Sequence, residues 1–339
     1  MRTSKARNRS KPTPTREREQ VRRAADAPSP VSEYEFAVVV VLLLAGVGLR
    51  SALPWRMSVE HFDEGVYASN LCFGPESDYQ YPGRHLYAPP RLPPMVDWSI
   101  VAERMVSPRA TRPGALAVMA PSLLAGCLTL VGVWWMAREW FGVATGMTAL
   151  ALATSSDLHA LFSRTALTES LLLLFLVVSL WAARRALSEA SPAFIVRAGI
   201  LVGLAWWTKY NGWLPLVIVL AAIAITAVFD RDTRGSLGRS VACWAGMACV
   251  AFAVWSPYLW QLQQIGGYAE VAANHRKYVV GPAGWLSSVE QQYASLVHYD
   301  GWISCVGVAV AAIVAAGRGR TLAASPLCRR PAKCLTLAL

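Results

Sequence analysis

Charged residues are scarce in this sequence. Only 16% of its 339 residues are Asp, Glu, Lys or Arg, 55% are hydrophobic, and the mean hydropathy is +0.36. Soluble domains carry about 25% charged residues. The scarcity excludes an ordinary soluble domain and predicts a polytopic membrane protein.

Metal-binding and disulfide patterns are also missing. The sequence has no CxxC or HExxH spacing, and its five histidines are scattered. No dedicated metal site is therefore expected, although the need for a divalent ion stays open. Of seven cysteines, the second to fifth lie inside apolar runs and only Cys72 is expected to face an oxidising compartment, which excludes a disulfide framework. No internal repeat is visible.

Long apolar runs are what the chain does have. A membrane span needs about 20 mostly apolar residues, and we count eight candidates, of which the third and fifth are short or interrupted. They are 34–53, 114–136, 143–162, 170–187, 195–208, 212–229, 239–260 and 300–317. The expected fold class is thus an all-α polytopic bundle of about eight transmembrane helices in a domain spanning 34–317.

The N-terminal segment 1–33 is strongly basic, with nine Lys or Arg and four prolines. It has almost nothing apolar, so we expect disorder and an attraction to the anionic cytoplasmic leaflet rather than to nucleic acid. The first apolar run lacks a clear cleavage pattern and is expected to be a retained anchor rather than a signal peptide.

The positive residues at the connections set the expected topology. With the basic tail inside, the other clusters fall on the cytoplasmic side, as the positive-inside rule requires. Those residues are Arg138, Arg184, Arg185, Arg197, Arg231, Arg234, Arg239, Arg318 and Arg320. We expect an integral, multi-pass protein of the plasma (inner) membrane with a cytoplasmic N terminus and an extracytoplasmic active site.

Nearly all of the candidate functional polar residues then fall in four outer segments, of which two are the short turns 164–169 and 209–212. The first outer loop, 54–113, mixes Pro, Tyr and charge, and stretches such as 96–106 are expected to lie as interfacial helices. The last outer loop is 261–299. Residues 318–339 form an irregular basic tail, for which truncation or a shifted reading frame would account.

Asp63 and Glu64 directly follow the first span. Ionised side chains near hydrocarbon are costly and are usually retained for function. Asp63 is placed to accept a proton from an attacking hydroxyl. The alternative is an interfacial helix cap, which Asp often provides.

Three further charges are expected on the same side. Arg164 and Glu169 bracket the start of the fourth span. In one interpretation Thr168 caps that helix and the negative charge of Glu169 is stabilised by the positive end of the helix dipole. In the other, Glu169 is a second acid that orients Arg164, Lys209 or the acceptor. Lys209 interrupts an apolar stretch, so it either snorkels to the surface or provides positive charge to a phosphate. Near the Pro-Pro step of the first loop, His85 is a weaker candidate.

Six short motifs, taken in order, resemble the dolichyl-phosphate-mannose protein mannosyltransferase-like family. This is glycosyltransferase family 39 with bacterial relatives such as lipid A aminoarabinose transferase, within the GT-C superfamily. The resemblance covers roughly residues 60–220. The motifs are Asp63-Glu64-x-x-Tyr67-Ala68, Tyr87-Ala88-Pro89-Pro90, Arg112-Pro113, Phe141-Gly142, Ser163-Arg164-Thr165-Ala166-Leu167-Thr168-Glu169 and Gly203-Leu204-Ala205-x-x-Thr208-Lys209-Tyr210-Asn211-Gly212.

The resemblance implies a GT-C-like bundle that moves a sugar from a polyprenyl phosphate to a hydroxyl of a protein, lipid or glycan. It implies that Asp63 is the catalytic base, with Glu64 beside it, and that Glu169 is the second acid. The expected partners are the lipid-linked sugar donor, the acceptor and membrane lipids.

Contact with the donor phosphate by Arg164 and Lys209 is our own inference from their charge. The family often has Lys or His immediately before the Pro-Pro pair, whereas this chain has Ala88. His85 or Tyr87 would then have to supply the phosphate contact expected there.

Two other interpretations remain. A transporter or flippase should carry its ionisable residues in mid-span and show related halves, whereas here the charges gather at one face. The other remaining interpretation is an inactive or truncated relative that serves only as a scaffold for other membrane proteins.

Overall fold

The structure, a computed structural model, describes residues 30–53, 58, 64–65, 115–229, 234–263, 267, 269, 273 and 281–323. Within these ranges all regular secondary structure is helical, which confirms the expected all-α fold. The basic tail up to residue 29, nearly all of the first outer loop and residues 324–339 lie outside the described part. Their predicted roles stay predictions.

Nine helices are described, and each predicted apolar run coincides with helical structure. They are α1 Glu33–Ser51, α2 Ala115–Phe141, α3 Val143–Ser155, α4 Asp157–Ser163, α5 Glu169–Glu189, α6 Pro192–Thr208, α7 Leu214–Phe229, α8 Arg234–Gln263 and α9 Gly281–Ala323. A kink at Gly301, with φ 65° and ψ 179°, divides α9 into two parts. Because α9 extends to Ala323, the first residues of the predicted tail 318–339 belong to this helix.

Four helical stretches in the described part are long and apolar enough to cross a membrane. They are Glu33–Ser51, Val118–Phe141, Glu169–Glu189 and Ser236–Trp260. Three further helices, α3, α6 and α7, are apolar but shorter. Large apolar side chains such as Leu44 and Leu128 are exposed on the bundle surface, where lipid would cover them. The chain is an integral membrane protein.

Local sequence signals explain several helix boundaries. Ser32 precedes α1, and its Oγ accepts a hydrogen bond from Glu35 N at 3.1 Å, as an N-cap does. Pro192 begins α6, where its missing N–H costs nothing. α5 ends at Glu189, and the residue that follows it, Ala190, adopts a left-handed conformation with φ 51°.

The third predicted span, 143–162, is not one helix. α3 ends at Ser155, Ser156 is extended, and α4 begins at Asp157. The Ser156 side chain caps α4 by accepting from His159 N at 3.0 Å. The sequence indicated a short or interrupted span here, and the structure places the interruption at Ser156, although apolar residues continue through α4.

Two clusters of buried apolar side chains form much of the interior of the described part. One lies between α1, α2 and α3 and is built from Val39, Leu130, Trp134 and Leu150. The other joins α5, α6, α7 and α8, and most of its members are alanines; they are Ala182, Ala183, Ala186, Ala198, Val219, Ala222, Ile223 and Met247.

Glycines allow α6 to approach α8 closely. A Cβ at Gly199 would lie 2.5 Å from Val250 Cβ, and one at Gly203 would lie 2.6 Å from Val254 Cβ. A spacing of four residues places both glycines on one helix face, as in the small-residue interfaces of membrane helices. The end of α6 is thereby fixed against α8.

The bundle has two polar ends. We call the end where α1, α3, α6 and α8 finish and α5 and α7 begin the Lys209 end, and the opposite end the Arg138 end. At the Arg138 end, Arg138 Nη2 donates to Glu35 Oε2 at 3.1 Å. Both side chains are buried, so this pair ties α2 to α1.

A second ion pair at the Arg138 end ties α2 to α5. Glu139 lies within 3.3 Å of Arg184 Nη1 and within 2.9 Å of Arg185 Nε. Trp181 Nε1 donates to the same carboxylate at 2.8 Å. Charged residues at this end therefore join neighbouring helices to each other.

Candidate active site at the Lys209 end

The turn of residues 164–168 joins α4 to α5 at the Lys209 end. Glu64 fixes this turn from a distant part of the chain, because Ala166 N donates to Glu64 Oε1 at 2.7 Å. Glu64 is only 3% exposed, and a hydrogen bond to an ionised carboxylate is stronger than one between neutral groups. The predicted carboxylate thus binds backbone of the turn that leads to Glu169.

Two other side chains anchor the same turn. Ser122 Oγ donates to Leu167 O at 2.7 Å, which joins the turn to α2. Arg164 Nη1 donates to Leu49 O at 3.1 Å. Leu49 lies in the last turn of α1, where carbonyl groups have no partner inside the helix. Arg164 therefore joins the turn to the end of α1.

Glu169 and Lys209 meet in an ion pair. Lys209 Nζ lies 2.6 Å from Glu169 Oε1, and the two side chains are 36% and 35% exposed. Glu169 is the first residue of α5, where a negative charge is favoured. The expected Thr168 side-chain cap is wrong, because that hydroxyl makes no capping bond and instead lies 3.4 Å from Glu169 Oε2.

The backbone after α6 places Lys209 tightly. Lys209 is extended, with φ −156° and ψ 150°, and its N–H donates to Ala205 O at 3.0 Å. Gly212 N donates to Lys209 O at 2.9 Å. A Cβ at Gly212 would collide with the Ala205 carbonyl group, so the turn that carries Lys209 requires glycine there.

Aromatic residues pack beside this turn. The Trp206 ring stacks on Trp255 with ring centroids 4.1 Å apart and an interplanar angle of 7°. Trp207 Nε1 donates to Val254 O at 2.6 Å. These contacts bind the last turn of α6 to α8 and leave little freedom for the Lys209 backbone.

A buried arginine occupies the break between α3 and α4. Arg50 is fully buried. Its Nη2 donates to Ala153 O at 2.8 Å and lies 2.6 Å from His159 Nδ1, while its Nη1 donates to Gly46 O at 2.9 Å. Since a guanidinium group only donates, Nδ1 of His159 must carry the lone pair.

The neutral state of His159 agrees with its surroundings. His159 lies in α4, outside the spanning helices. Burial, followed by the positive charge of Arg50, lowers the pKa of His159 to about 4, against an opposing effect of Asp300. An imidazolium would also repel the guanidinium, so the two groups fit together only with His159 neutral.

Asp300 binds the first turn of α4 from the other side. Its Oδ1 accepts from Leu158 N at 3.0 Å, and its Oδ2 accepts from Ser156 Oγ at 2.8 Å. Asp300 is the last residue of α9 before the Gly301 kink. The two parts of α9 therefore meet where Asp300 contacts α4.

The structure brings four predicted site residues to the Lys209 end. Glu169 and Lys209 contact each other directly, and Glu64 and Arg164 anchor the adjoining turn. Three other predicted residues lie outside the described part of the chain; they are Asp63, His85 and Tyr87. Among the described residues, no three His, Cys, Asp or Glu side chains are grouped to hold a metal ion.

Sequence reasoning missed Arg50, His159 and Asp300. Arg50 lies near the end of the first apolar run, and a charged side chain in that position indicates a buried partner or a functional role. His159 and Asp300 stand alone in the sequence, and only the fold brings them to Arg50 and to α4.

Comparisons with known proteins identify a related family. A family model described as dolichyl-phosphate-mannose-protein mannosyltransferase matches residues 91–260, half of the chain. The matched range contains three of the predicted site residues, Arg164, Glu169 and Lys209. The other four precede it; they are Asp63, Glu64, His85 and Tyr87. A search of curated proteins found no match.

A solved structure is also similar, a crystal structure of the Archaeoglobus fulgidus oligosaccharyltransferase in complex with Zn and sulfate. The TM-score is 0.55 and the sequence identity 15%, and the alignment covers 89% of this chain and 48% of that one. The chain thus spans about half the length of that relative. At this identity the likeness shows the fold alone, and it confirms the predicted GT-C-like bundle.

Proposed function

Because the chain belongs to the dolichyl-phosphate-mannose-protein mannosyltransferase family, we propose that it is a membrane glycosyltransferase that moves a sugar from a polyprenyl-phosphate donor to a hydroxyl acceptor. The acceptor is a protein, lipid or glycan. The reaction takes place at the Lys209 end, which we assign to the extracytoplasmic face of the plasma membrane, with the N terminus in the cytoplasm.

The contact between Lys209 and Glu169 is the observation that supports this proposal most strongly. Both side chains are about one-third exposed, so a ligand can reach them. An ammonium group has three donors, and the Glu169 contact needs only one. Lys209 can therefore bind a phosphate oxygen while Glu169 still fixes its position.

The proposed reaction is a displacement at the anomeric carbon. The acceptor oxygen forms a bond to that carbon as the bond between the carbon and the phosphate oxygen breaks, with inversion. Asp63 takes the acceptor proton, and Lys209, with Arg164 nearby on the anchored turn, stabilises the negative charge of the departing polyprenyl phosphate.

Glu64 fits a positioning role better than proton transfer. Its carboxylate is buried and accepts a hydrogen bond from the Ala166 backbone. Asp63 directly precedes Glu64 in the sequence, so the proposed base lies one residue from a group anchored to the turn before Glu169. His85 and Tyr87 remain proposed phosphate contacts.

Turnover of candidate donors in membranes tests the proposal. Membranes containing the full chain are incubated with a panel of polyprenyl-phosphate sugars, and consumption of each donor is recorded. We expect one sugar to be consumed and Asp63→Asn to abolish its consumption at an unchanged protein level, because an amide cannot take the proton.

Glu290→Gln is the matched control, because Glu290 is an exposed carboxylate on α9 and its neutralisation should leave turnover unchanged. Unaltered turnover in Asp63→Asn would remove Asp63 from the mechanism. Movement of a donor across the membrane without its consumption would favour the transporter interpretation instead.

A further inference from the structure

At the break around Ser156, α3 ends and α4 begins, and each of these helix ends contacts a charged side chain from a helix distant in the sequence. The last carbonyl groups of α3 and the first N–H groups of α4 have no partners inside their own helices. Arg50 of α1 donates to the Ala153 carbonyl, and Asp300 of α9 accepts from Leu158 N. Each charge has the sign that favours the helix end it meets.

The two caps act on the same short helix. Arg50 also contacts His159 Nδ1 at 2.6 Å, and Asp300 also accepts from Ser156 Oγ, which in turn caps α4. α4 is therefore bound near its start from the α1 side by a cation and from the α9 side by an anion.

Movement at the start of α4 would reach the candidate active site. α4 has only seven residues and ends at Ser163, directly before the turn 164–168. Ser163 is fully buried and packs directly on Gly126, where a Cβ would collide with its side chain. A rigid helix packed this tightly passes a shift at one end to the other rather than absorbing it.

The first part of α9 meets α4 through Asp300. Farther from the kink, its large apolar side chains are exposed; they are Trp285, Leu286, Val289 and Tyr293. Gly301 follows Asp300 with a positive φ that favours glycine. Asp300 thus stands at the junction between an exposed helix and the segment that leads to the site.

We propose that Asp300 and Arg50 are positioning residues for sugar transfer. By capping the break between α3 and α4 they fix α4, and through it the turn that bears Arg164 and leads into Glu169. The role in transfer rests on the proposed function of that site. The geometric part, that Asp300 acts through α4 to help Glu64, Ser122 and Arg164 hold the turn, does not depend on that function.

Kinetics of Asp300 variants in the full chain test the role in transfer. We expect Asp300→Ala to lower kcat for the consumed polyprenyl-phosphate sugar about tenfold or more, since a misplacement of about 1 Å can cost up to about 100-fold. The donor KM should stay within about twofold, because the backbone of Lys209 is held by its own hydrogen bonds to Ala205 and Gly212, outside the turn 164–168. Asp300→Asn, which keeps one acceptor oxygen for Leu158 N, should retain more activity.

Arg50→Lys provides a second variant that retains the charge. A lysine cannot reproduce the planar fork that reaches several acceptors, so kcat should again fall while the donor KM changes little. Glu290→Gln, a neutralised carboxylate on the same part of α9, is the control and should behave as the parent protein.

A labelling experiment measures the turn without using activity. In a T165C background, modification of position 165 by a maleimide is followed by mass spectrometry. Asp300→Ala should raise the labelling rate at least threefold, and Glu290→Gln should not change it. Thermal unfolding of each variant is measured alongside to compare the amounts of folded protein.

The outcomes separate the two proposals. Faster labelling in Asp300→Ala, with no donor consumed by the parent chain, would overturn the proposed function and support the geometric role. Normal kcat and labelling in Asp300→Ala, with an active parent chain, would overturn the positioning role alone. Activity that falls only in proportion to the folded fraction would also overturn it, since Asp300 would then serve stability only.

Discussion

The two ends of the bundle use their charges differently. At the Arg138 end, Glu35 and Arg138 are 2% and 5% exposed, whereas at the Lys209 end Glu169 and Lys209 are 35% and 36% exposed. A buried pair cannot exchange its partner for a ligand without a large desolvation penalty. An exposed pair can, so exposure separates the Glu169–Lys209 pair from the buried Glu35–Arg138 pair as a group that a ligand can reach.

The partners differ as well. Side chains at the Arg138 end bind other side chains and so join helix to helix. At the Lys209 end, several charged groups bind backbone atoms and so shape the segments between helices; they are Arg50, Glu64, Arg164 and Asp300. A bundle end built in this way has fixed turns and leaves its exposed ion pair accessible.

The largest effect should come from breaking the buried pair. Glu35→Gln removes the negative charge that contacts the buried Arg138 guanidinium, and the expected loss of stability is about 3–5 kcal/mol. Thermal unfolding in detergent measures it. The double variant Glu35→Gln with Arg138→Met should lose less than the single variant, because the buried cation is removed together with its contact to Glu35. An unchanged unfolding midpoint in the single variant would contradict the assigned role.

An intermediate effect, on activity rather than stability, is expected at the exposed pair. Lys209→Ala should weaken use of the donor about 10- to 100-fold, as expected for loss of a hydrogen bond to a charged group worth about 1.5–3 kcal/mol. Its stability should fall by about 1 kcal/mol or less. Steady-state kinetics with donor and acceptor varied separately provide the measurement.

The control for Lys209 is Arg197→Ala, which removes an exposed cation at the Arg138 end and should leave donor use unchanged. Equal losses for donor and acceptor in Lys209→Ala would argue against phosphate contact.

The smallest effect should come from an exposed pair at the Arg138 end. Arg185 Nη1 lies 2.6 Å from Glu189 Oε1, four residues along α5. Pairs of this kind stabilise a helix by about 0.3–0.5 kcal/mol, and Arg185 would keep Glu139. Glu189→Gln should therefore shift the unfolding midpoint only slightly and leave turnover unchanged. A loss of stability comparable to that of Glu35→Gln would show that the exposure of an ion pair does not predict its contribution to stability.

Hydropathy and charge order predicted much of this architecture. The apolar runs coincide with helices, and three of the arginines expected on one side, Arg138, Arg184 and Arg185, form their ion pairs at one end of the bundle. Glu169 and Lys209 were expected at the same face, and the structure places them in contact. These features follow from side-chain type and spacing, which a sequence shows directly.

The third span was expected to be short or interrupted, but the position of the break at Ser156 was not predicted, for a physical reason. Leu158, Leu161 and Phe162 continue the apolar pattern across it, while its caps come from residues more than 100 positions away. Helix capping by distant side chains depends on the tertiary fold. The same holds for Glu64, whose backbone partner Ala166 has no local signal in the sequence.

The close approach of Gly212 to the Ala205 carbonyl has a consequence for how this region can diverge. No residue with a Cβ fits there while the connection keeps its present length and path. Point substitution at this site is therefore closed to descendants of the chain. Variation around Lys209 has to arise through insertions that rebuild the whole connection, and such changes would move the lysine as well.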